Sequence, residues 1–270
     1  MTDEASGSLT SGWPEIVRQV RARTPARLLL GRAGGAYRTG TQMELRDAHA
    51  AARDAVRTEL DMERDLGAVV VERWKLFEVA SRAGSKDEYL LRPDLGRTFS
   101  DRSRDELKRR CPTGQRLQIA IGDGLSVTAV SAQVPRLLPL LCENAQARGW
   151  TVGQTFVIRH CRVGILNEIG ELLAPEIAVL LIGERPGLAT AESLSAYLAY
   201  RPQRNHSDAN RNLISNIHVR GVSPQDAAVR ILHFAERMMR LGASGYDIRE
   251  EQYEPCYGLP ENRISRHEMS

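Results

Sequence analysis

The feature that most constrains this chain is the uninterrupted apolar run 177–182, closed at once by Gly183-Glu184-Arg185-Pro186-Gly187. Apolar residues without alternation over that length fit a strand covered on both faces, the position of a central strand in a parallel sheet layered by helices. The run is far short of the ~20 residues that a membrane-spanning helix requires. Its glycine-bearing loop would open at the C-terminal edge of the sheet, where ligands of α/β proteins bind.

Strand and helix signals alternate around this run. Residues 117–121 read as a strand that stops at Gly122-Asp123-Gly124, and Ser126 is placed to cap the helix that follows. Pro135 and Pro139 mark a helix restart, and Arg148-Gly149 ends that helix before a β-branched and aromatic strand at 155–160. A short helix through 169–173 precedes the central strand, and a further strand follows at 194–200. The polar stretch 203–212 leads into a loop at 212–218. A last helix spans 223–241, with Ala227, Ile231, Phe234 and Met238 on one face.

The first ninety residues are mostly helical in pattern. A helix from Trp13 is ended by Thr24-Pro25, an Ala- and Arg-rich helix covers 39–60, and a short strand is expected at 88–91. A charge-dense helix at 100–110 follows. The expected fold class is α/β: a doubly wound, Rossmann-like parallel sheet with a mostly helical N-terminal region. The expected divisions are a flexible arm at 1–12, the helical region at 13–112, the sheet domain at 113–248 and a mobile tail at 249–270.

With 42% apolar and 26% charged residues, the chain has the balance of an ordinary globular protein. Its net charge of +3 is too small to argue for nucleic acid or a membrane surface as partner, and neither is expected. Cys111, Cys142, Cys161 and Cys256 have no C-x-x-C pair and no histidine at zinc-ligand spacing, so they read as free thiols of a reducing compartment. The polar N-terminus lacks the layout of a secretory signal. These readings favour the cytoplasm.

Several short patterns fail as catalytic signatures. A dinucleotide turn opening at Gly122-Asp123-Gly124 needs glycine at 127, where Val127 stands. A nucleophile elbow around Ser126 needs glycine at 128, where Thr128 stands, so a helix cap is the better role for Ser126. Asn216-Ile217-His218-Val219-Arg220-Gly221 is one residue away from D-x-H-x-x-G, the pattern in which histidine replaces the lower base of cobalamin. Asn216 cannot supply the negative charge that raises histidine basicity, so His218 reads as structural. Glu184 and Arg185, at the mouth of the central strand, are either a solvated ion pair or polar contacts for a large ligand.

Taken together, the residues resemble a known family. Arg92-Pro93-Asp94-Leu95-Gly96-Arg97, Asp123-Gly124-Leu125-Ser126, Arg162-Val163, Gly183-Glu184-Arg185-Pro186-Gly187-Leu188, Glu192-Ser193-Leu194-Ser195 and Ile214-Ser215-Asn216-Ile217-His218 occur in this order. The series is similar to the small subunit of ethanolamine ammonia-lyase, from about residue 31 to residue 245. The resemblance implies adenosylcobalamin-dependent, radical conversion of ethanolamine to acetaldehyde and ammonia, with the cofactor base-on and held between this subunit and a large catalytic subunit that binds most of the substrate. It implies a hetero-oligomer that is inactive without the large subunit, and it leaves open a bacterial microcompartment as location.

By matching position, the resemblance assigns cobalamin contacts to Val163 and Glu184, and a third to Leu213, where the family commonly carries cysteine. Asp123, Ser126, Arg185 and Asn216 are the remaining candidate cofactor-binding residues; no metal ligand or catalytic side chain is expected here. The competing expectations are a cobalamin-binding module without catalytic involvement and an independent nucleotide-dependent enzyme on the same fold.

Overall fold

The computed structural model describes residues 14–22, 28–30, 32–187, 189–246 and 248. The expected arm, the helix start at Trp13, its end at Thr24-Pro25, Cys256 and the expected tail lie outside the described residues. In chain order the elements begin with α1 (Glu15–Ala22), β1 (Arg32–Ala33), β2 (Ala36–Tyr37) and α2 (Thr39–Arg57). Strands β1 and β2 pair as a small antiparallel ladder. Helix α1 buries no residue and α2 buries only Ala55, as the Ala- and Arg-rich composition of the segment leads one to expect.

Next come α3 (Met62–Leu66), α4 (Ala68–Arg73), β3 (Glu78–Ala80), α5 (Lys86–Leu91) and α6 (Asp101–Arg110). The segment expected as a strand at 88–91 is the helix α5. Ser85 caps it by accepting from the Glu88 N–H, and the Glu88 carboxylate accepts from the Gly84 N–H. This S-x-x-E arrangement is a helix-start signal that outweighs the strand-like apolar pair at 90–91.

The remainder consists of β4 (Leu117–Gly122), α7 (Val127–Ala147), β5 (Phe156–Arg159), α8 (Leu166–Leu173), β6 (Ile177–Gly183), β7 (Leu194–Tyr200), β8 (Asn212–Ile217) and α9 (Pro224–Leu241). Helix α7 runs unbroken through Pro135 and Pro139, against the expected restart. Each proline removes one helical hydrogen bond, a cost of roughly 3 kcal/mol. Val130, Val134, Leu137, Leu138 and Leu141 are all buried along the same helix, and that burial outweighs the local cost.

One six-stranded sheet carries the fold, in the order β3-β5-β4-β6-β7-β8. Strands β3 to β6 are mutually parallel, whereas β7 pairs antiparallel with β6 and β8 antiparallel with β7. The sheet is therefore mixed, and the expectation of a purely parallel sheet holds only for its first four strands. The segment expected as the 212–218 loop is the edge strand β8. Only about ten residues separate the ends of β6 and β7, too few for the helical crossover that a parallel neighbour needs.

Strand β6 is buried along its whole length. Val179 and Leu181 enter one core with Leu117, Ile119 and Ile121 of β4, α7 and α9. Ala178, Leu180 and Ile182 enter a second core with Phe156 and Ile158 of β5, Leu107 of α6 and Ile169 and Leu173 of α8. Alternate side chains feeding two cores explain why this strand shows no polar alternation. Strand β3 joins the same sheet, so the helical N-terminal part and the sheet share one framework.

Candidate functional site

The chain leaves β4 through α7 to reach β5 on one side, then passes through α8 to β6 on the other. The C-terminal ends of β4, β5 and β6 thus form a crevice at the point where the connections diverge, the usual ligand position on such sheets. A cavity of about 370 Å³ lies there, with Tyr89, Arg162, Val163, Glu184, Tyr197 and Leu213 among its walls.

The crevice floor is built by close backbone approach. Gly124 has φ of +57°, and a Cβ there would lie 2.3 Å from the Gly183 carbonyl oxygen. A Cβ on Gly183 would lie 2.0 Å from the Ser126 carbonyl oxygen. The two glycines let the β4–α7 turn cross directly over the end of β6, which fixes where Glu184 emerges.

Glu184 is locked by three donors. Its Oε2 accepts from the Ser193 hydroxyl at 2.7 Å, and its Oε1 accepts from the Ser195 hydroxyl at 2.7 Å and the Asn216 N–H at 2.9 Å. A carboxylate offers about four acceptor positions. The position left over, on Oε2, belongs to an acceptor whose orientation is already fixed.

The Asn216 N–H reaches Glu184 because the sheet is irregular at this point. Between the paired residues Leu194↔Ile217 and Ala196↔Ile214, Ser195 of β7 faces both Ser215 and Asn216 of β8. Such a bulge re-aims the backbone, and asparagine tolerates the φ of +61° that it imposes. The Arg220 N–H donates to His218 Nδ1 at 3.2 Å, so Nε2 carries the proton and donates to Asn216 Oδ1 at 2.7 Å. A Cβ on Gly221 would lie 2.2 Å from the Asn216 carbonyl oxygen. Asn216, His218 and Gly221 thus make a tight turn, with His218 buried and both ring nitrogens occupied.

Asp123 is fully buried beneath the crevice. It accepts from the His160 N–H at 2.9 Å and the Cys161 N–H at 2.8 Å, and pairs with Lys86 Nζ at 3.2 Å. This carboxylate ties β4 to the end of β5, and α5 to both. Ser126 accepts from the Ala129 N–H as the cap of α7 and donates to the Ala191 carbonyl at 2.5 Å. The structure therefore brings Val163, Glu184, Arg185 and Leu213 together on the cavity wall, with Asn216 behind Glu184. Asp123 and Ser126 are spent on the frame.

Tyr89 lies in the segment expected as a strand and Lys86 just before it, so neither carries a signal in the sequence. On α5 they are three residues apart and share a face. The Tyr89 hydroxyl donates to the Cys161 carbonyl at 2.9 Å, and the Arg162 guanidinium lies 4.2 Å from the ring centroid. Burial, with the Asp123 charge adding to it, pushes the Tyr89 phenol well above its usual range. The Cys161 thiol is raised by burial in the same way, so neither group is a ready acid or nucleophile. Among the described residues, no group of three or more His, Cys, Asp or Glu is arranged to hold a metal ion, and no helix is long and apolar enough to cross a membrane.

A family model for the ethanolamine ammonia-lyase light chain matches residues 14–249. The chain belongs to the ethanolamine ammonia-lyase light-chain family. Relatives named ethanolamine ammonia-lyase small subunit include one from Clostridioides difficile (strain 630), 40% identical over 87% of this chain and 78% of its own. Another, from Fusobacterium nucleatum, is 40% identical over 85% of this chain and 76% of its own. A third, from Clostridium acetobutylicum, is 37% identical over 87% of this chain and 95% of its own. The ethanolamine ammonia-lyase light-chain match includes every residue of the crevice.

Proposed function

We propose that this chain is the small subunit of an adenosylcobalamin-dependent ethanolamine ammonia-lyase, and that its crevice holds one side of the cofactor while a large subunit covers the other. The observation that carries this reading is Glu184, a carboxylate fixed by Ser193, Ser195 and Asn216 with one acceptor position to spare, set among apolar walls.

The residues fit such a group. A corrinoid presents an apolar ring edged with neutral amide arms, and Val163, Leu213 and Tyr197 offer apolar contact where Glu184 offers an acceptor for an amide N–H. At about 370 Å³ the cavity is near the low end of the range for drug-sized ligands, so it encloses only part of a macrocycle and leaves the rest to a partner. His218, with both nitrogens engaged, has none to offer cobalt, which supports a base-on cofactor. Adenosylcobalamin, when bound, supplies the cobalt–carbon bond whose homolysis starts the radical conversion of ethanolamine to acetaldehyde and ammonia.

This chain's share is binding and orientation. Glu184, Val163, Leu213 and Arg185 contact the cofactor; Asn216 orients Glu184; Asp123 and Ser126 keep the strand ends in register. Substrate binding and catalysis fall to the large subunit, in a cytoplasmic hetero-oligomer that bacteria can house in a microcompartment.

Glu184→Gln tests the reading, because it keeps the side chain's shape and replaces the spare acceptor with a donor. In the complex with the large subunit, cobalamin affinity measured by equilibrium dialysis should fall about tenfold or more. Unchanged affinity would remove Glu184 from the site.

A further inference from the structure

Beside the crevice lies a second and larger cavity of about 810 Å³, and the two share Arg162, Val163 and Tyr197 in their walls. Its character is different. Arg97, Arg104, Arg162, Arg204 and Arg211 line it, against the carboxylates Glu168, Glu171 and Asp208. Two of those carboxylates are already committed: Glu168 pairs with Arg104 and Asp208 with Arg211. Among the described residues, no hydrogen bond or ion pair engages the guanidinium groups of Arg97 or Arg204.

The groove is a formed structure. The Asn167 amide donates to the Arg204 carbonyl at 3.2 Å and to the His206 carbonyl at 2.7 Å, and its oxygen accepts from Arg211 at 2.9 Å. One side chain of α8 thus pins the 204–211 segment at three points. The missing side chain of Gly164 makes room for the stem of Arg97, since a Cβ there would lie 2.9 Å from its Cγ. The Arg211 side chain is only 4% exposed, and its Nε, like that of Arg162, is buried with no hydrogen-bond partner among the described residues. The donors open to an anion in the groove are the exposed guanidinium groups of Arg97 and Arg204, and charge-assisted hydrogen bonds are the strong ones. Burial also holds the Arg211 guanidinium below its usual range, and Arg97 adds repulsion.

We propose that this groove is an anion subsite for the phosphodiester of the cofactor's nucleotide tail. The inference rests on the cobalamin reading of the neighbouring crevice. The tail hangs from one edge of the corrin, so a ring held in the crevice would carry its phosphate past the wall formed by Arg162 and Val163. Planar guanidinium groups suit a phosphate better than lysine would, because they donate in pairs. Free inorganic phosphate shares this chemistry and is the other source to separate.

The test uses equilibrium dialysis on the complex of this chain with the large subunit, wild type against an Arg97→Gln/Arg204→Gln double variant. The probes are hydroxocobalamin, cobinamide, which lacks the nucleotide and its phosphate, and inorganic phosphate. Hydroxocobalamin should bind the variant about 10- to 100-fold more weakly, while cobinamide binds both proteins alike. An Arg97→Lys/Arg204→Lys variant, which keeps the charge, should recover part of the loss. Inorganic phosphate should compete with hydroxocobalamin for the wild type.

Equal weakening of both corrinoids, or of neither, overturns the proposal. So does phosphate that binds through Arg97 and Arg204 without competing with hydroxocobalamin, which would make the groove a separate free-anion site. If the wild-type complex binds neither corrinoid, the cobalamin reading itself has failed, and this subsite with it.

Discussion

Asp123 shows how a single residue can matter to a site that it does not touch. Its carboxylate is buried against two backbone N–H groups and Lys86, itself only 8% exposed along its side chain. Asp123→Asn puts an amide where donors converge and leaves Lys86 buried without its direct ion-pair partner. The expected cost is about 3–5 kcal/mol, read as a lower urea midpoint; a loss below about 1 kcal/mol would show that Lys86 finds water or another partner. At this scale the sequence is informative about chemical type and poor about role. Glu184 and Arg185 stand out by following a buried strand, and Ser126 by its capping position. That Asp123 faces inward while Glu184 faces the crevice depends on which backbone N–H groups the fold brings near, and no local pattern encodes that. Ser193 and Ser195 are visible as part of a family-like series, yet their hold on Glu184 needs β7 beside β6.

The elements were legible where periodicity and caps agreed. Strands β4, β5, β6 and β7 and helices α2, α6 and α9 lie within a few residues of expectation: the strands and α9 combine a clear apolar pattern with a stop or cap, α2 is long and free of proline, and the charge-dense α6 is started by the Ser100 cap. The departures have local causes. The cap signal of Ser85 with Glu88 makes α5 a helix, the buried face of α7 carries it through Pro135 and Pro139, and the short link after β6 makes the sheet mixed. Gly183→Ala tests how far the crossing of β6 and the β4–α7 turn sets the site. The added Cβ would meet backbone atoms of Ser126 and Asp123, so the strand or the turn must shift. We expect a stability loss of about 1–3 kcal/mol in chemical denaturation and weaker cobalamin binding through the displaced Glu184. Wild-type values for both would mean that the crossing is more pliable than its geometry indicates.

Across the whole molecule, buried ionisable groups make stability depend on alkaline pH. Burial pushes the Cys111 and Cys142 thiols up to about 12, from an ordinary value of 9.0, and raises Cys161 and Tyr89 as well. The unfolded chain releases the thiol protons near pH 9 and the Tyr89 proton near pH 10, while the folded chain keeps them. The contribution is therefore complete below about pH 9 and is lost as pH rises from there towards 12, by up to about 1.4 kcal/mol per pH unit for each group. Urea midpoints should fall between pH 8 and pH 10.5, and a flat profile would contradict the burial of these groups. Under the proposed function, the crevice of about 370 Å³ can enclose only part of a large cofactor, which is why the activity is proposed for an assembly. The most direct measurement is ammonia release from ethanolamine and adenosylcobalamin, with this chain alone and with a co-expressed large subunit. Release by the pair and not by the chain alone is the predicted result. Release by the chain alone, or none from a verified and properly assembled pair, would contradict it.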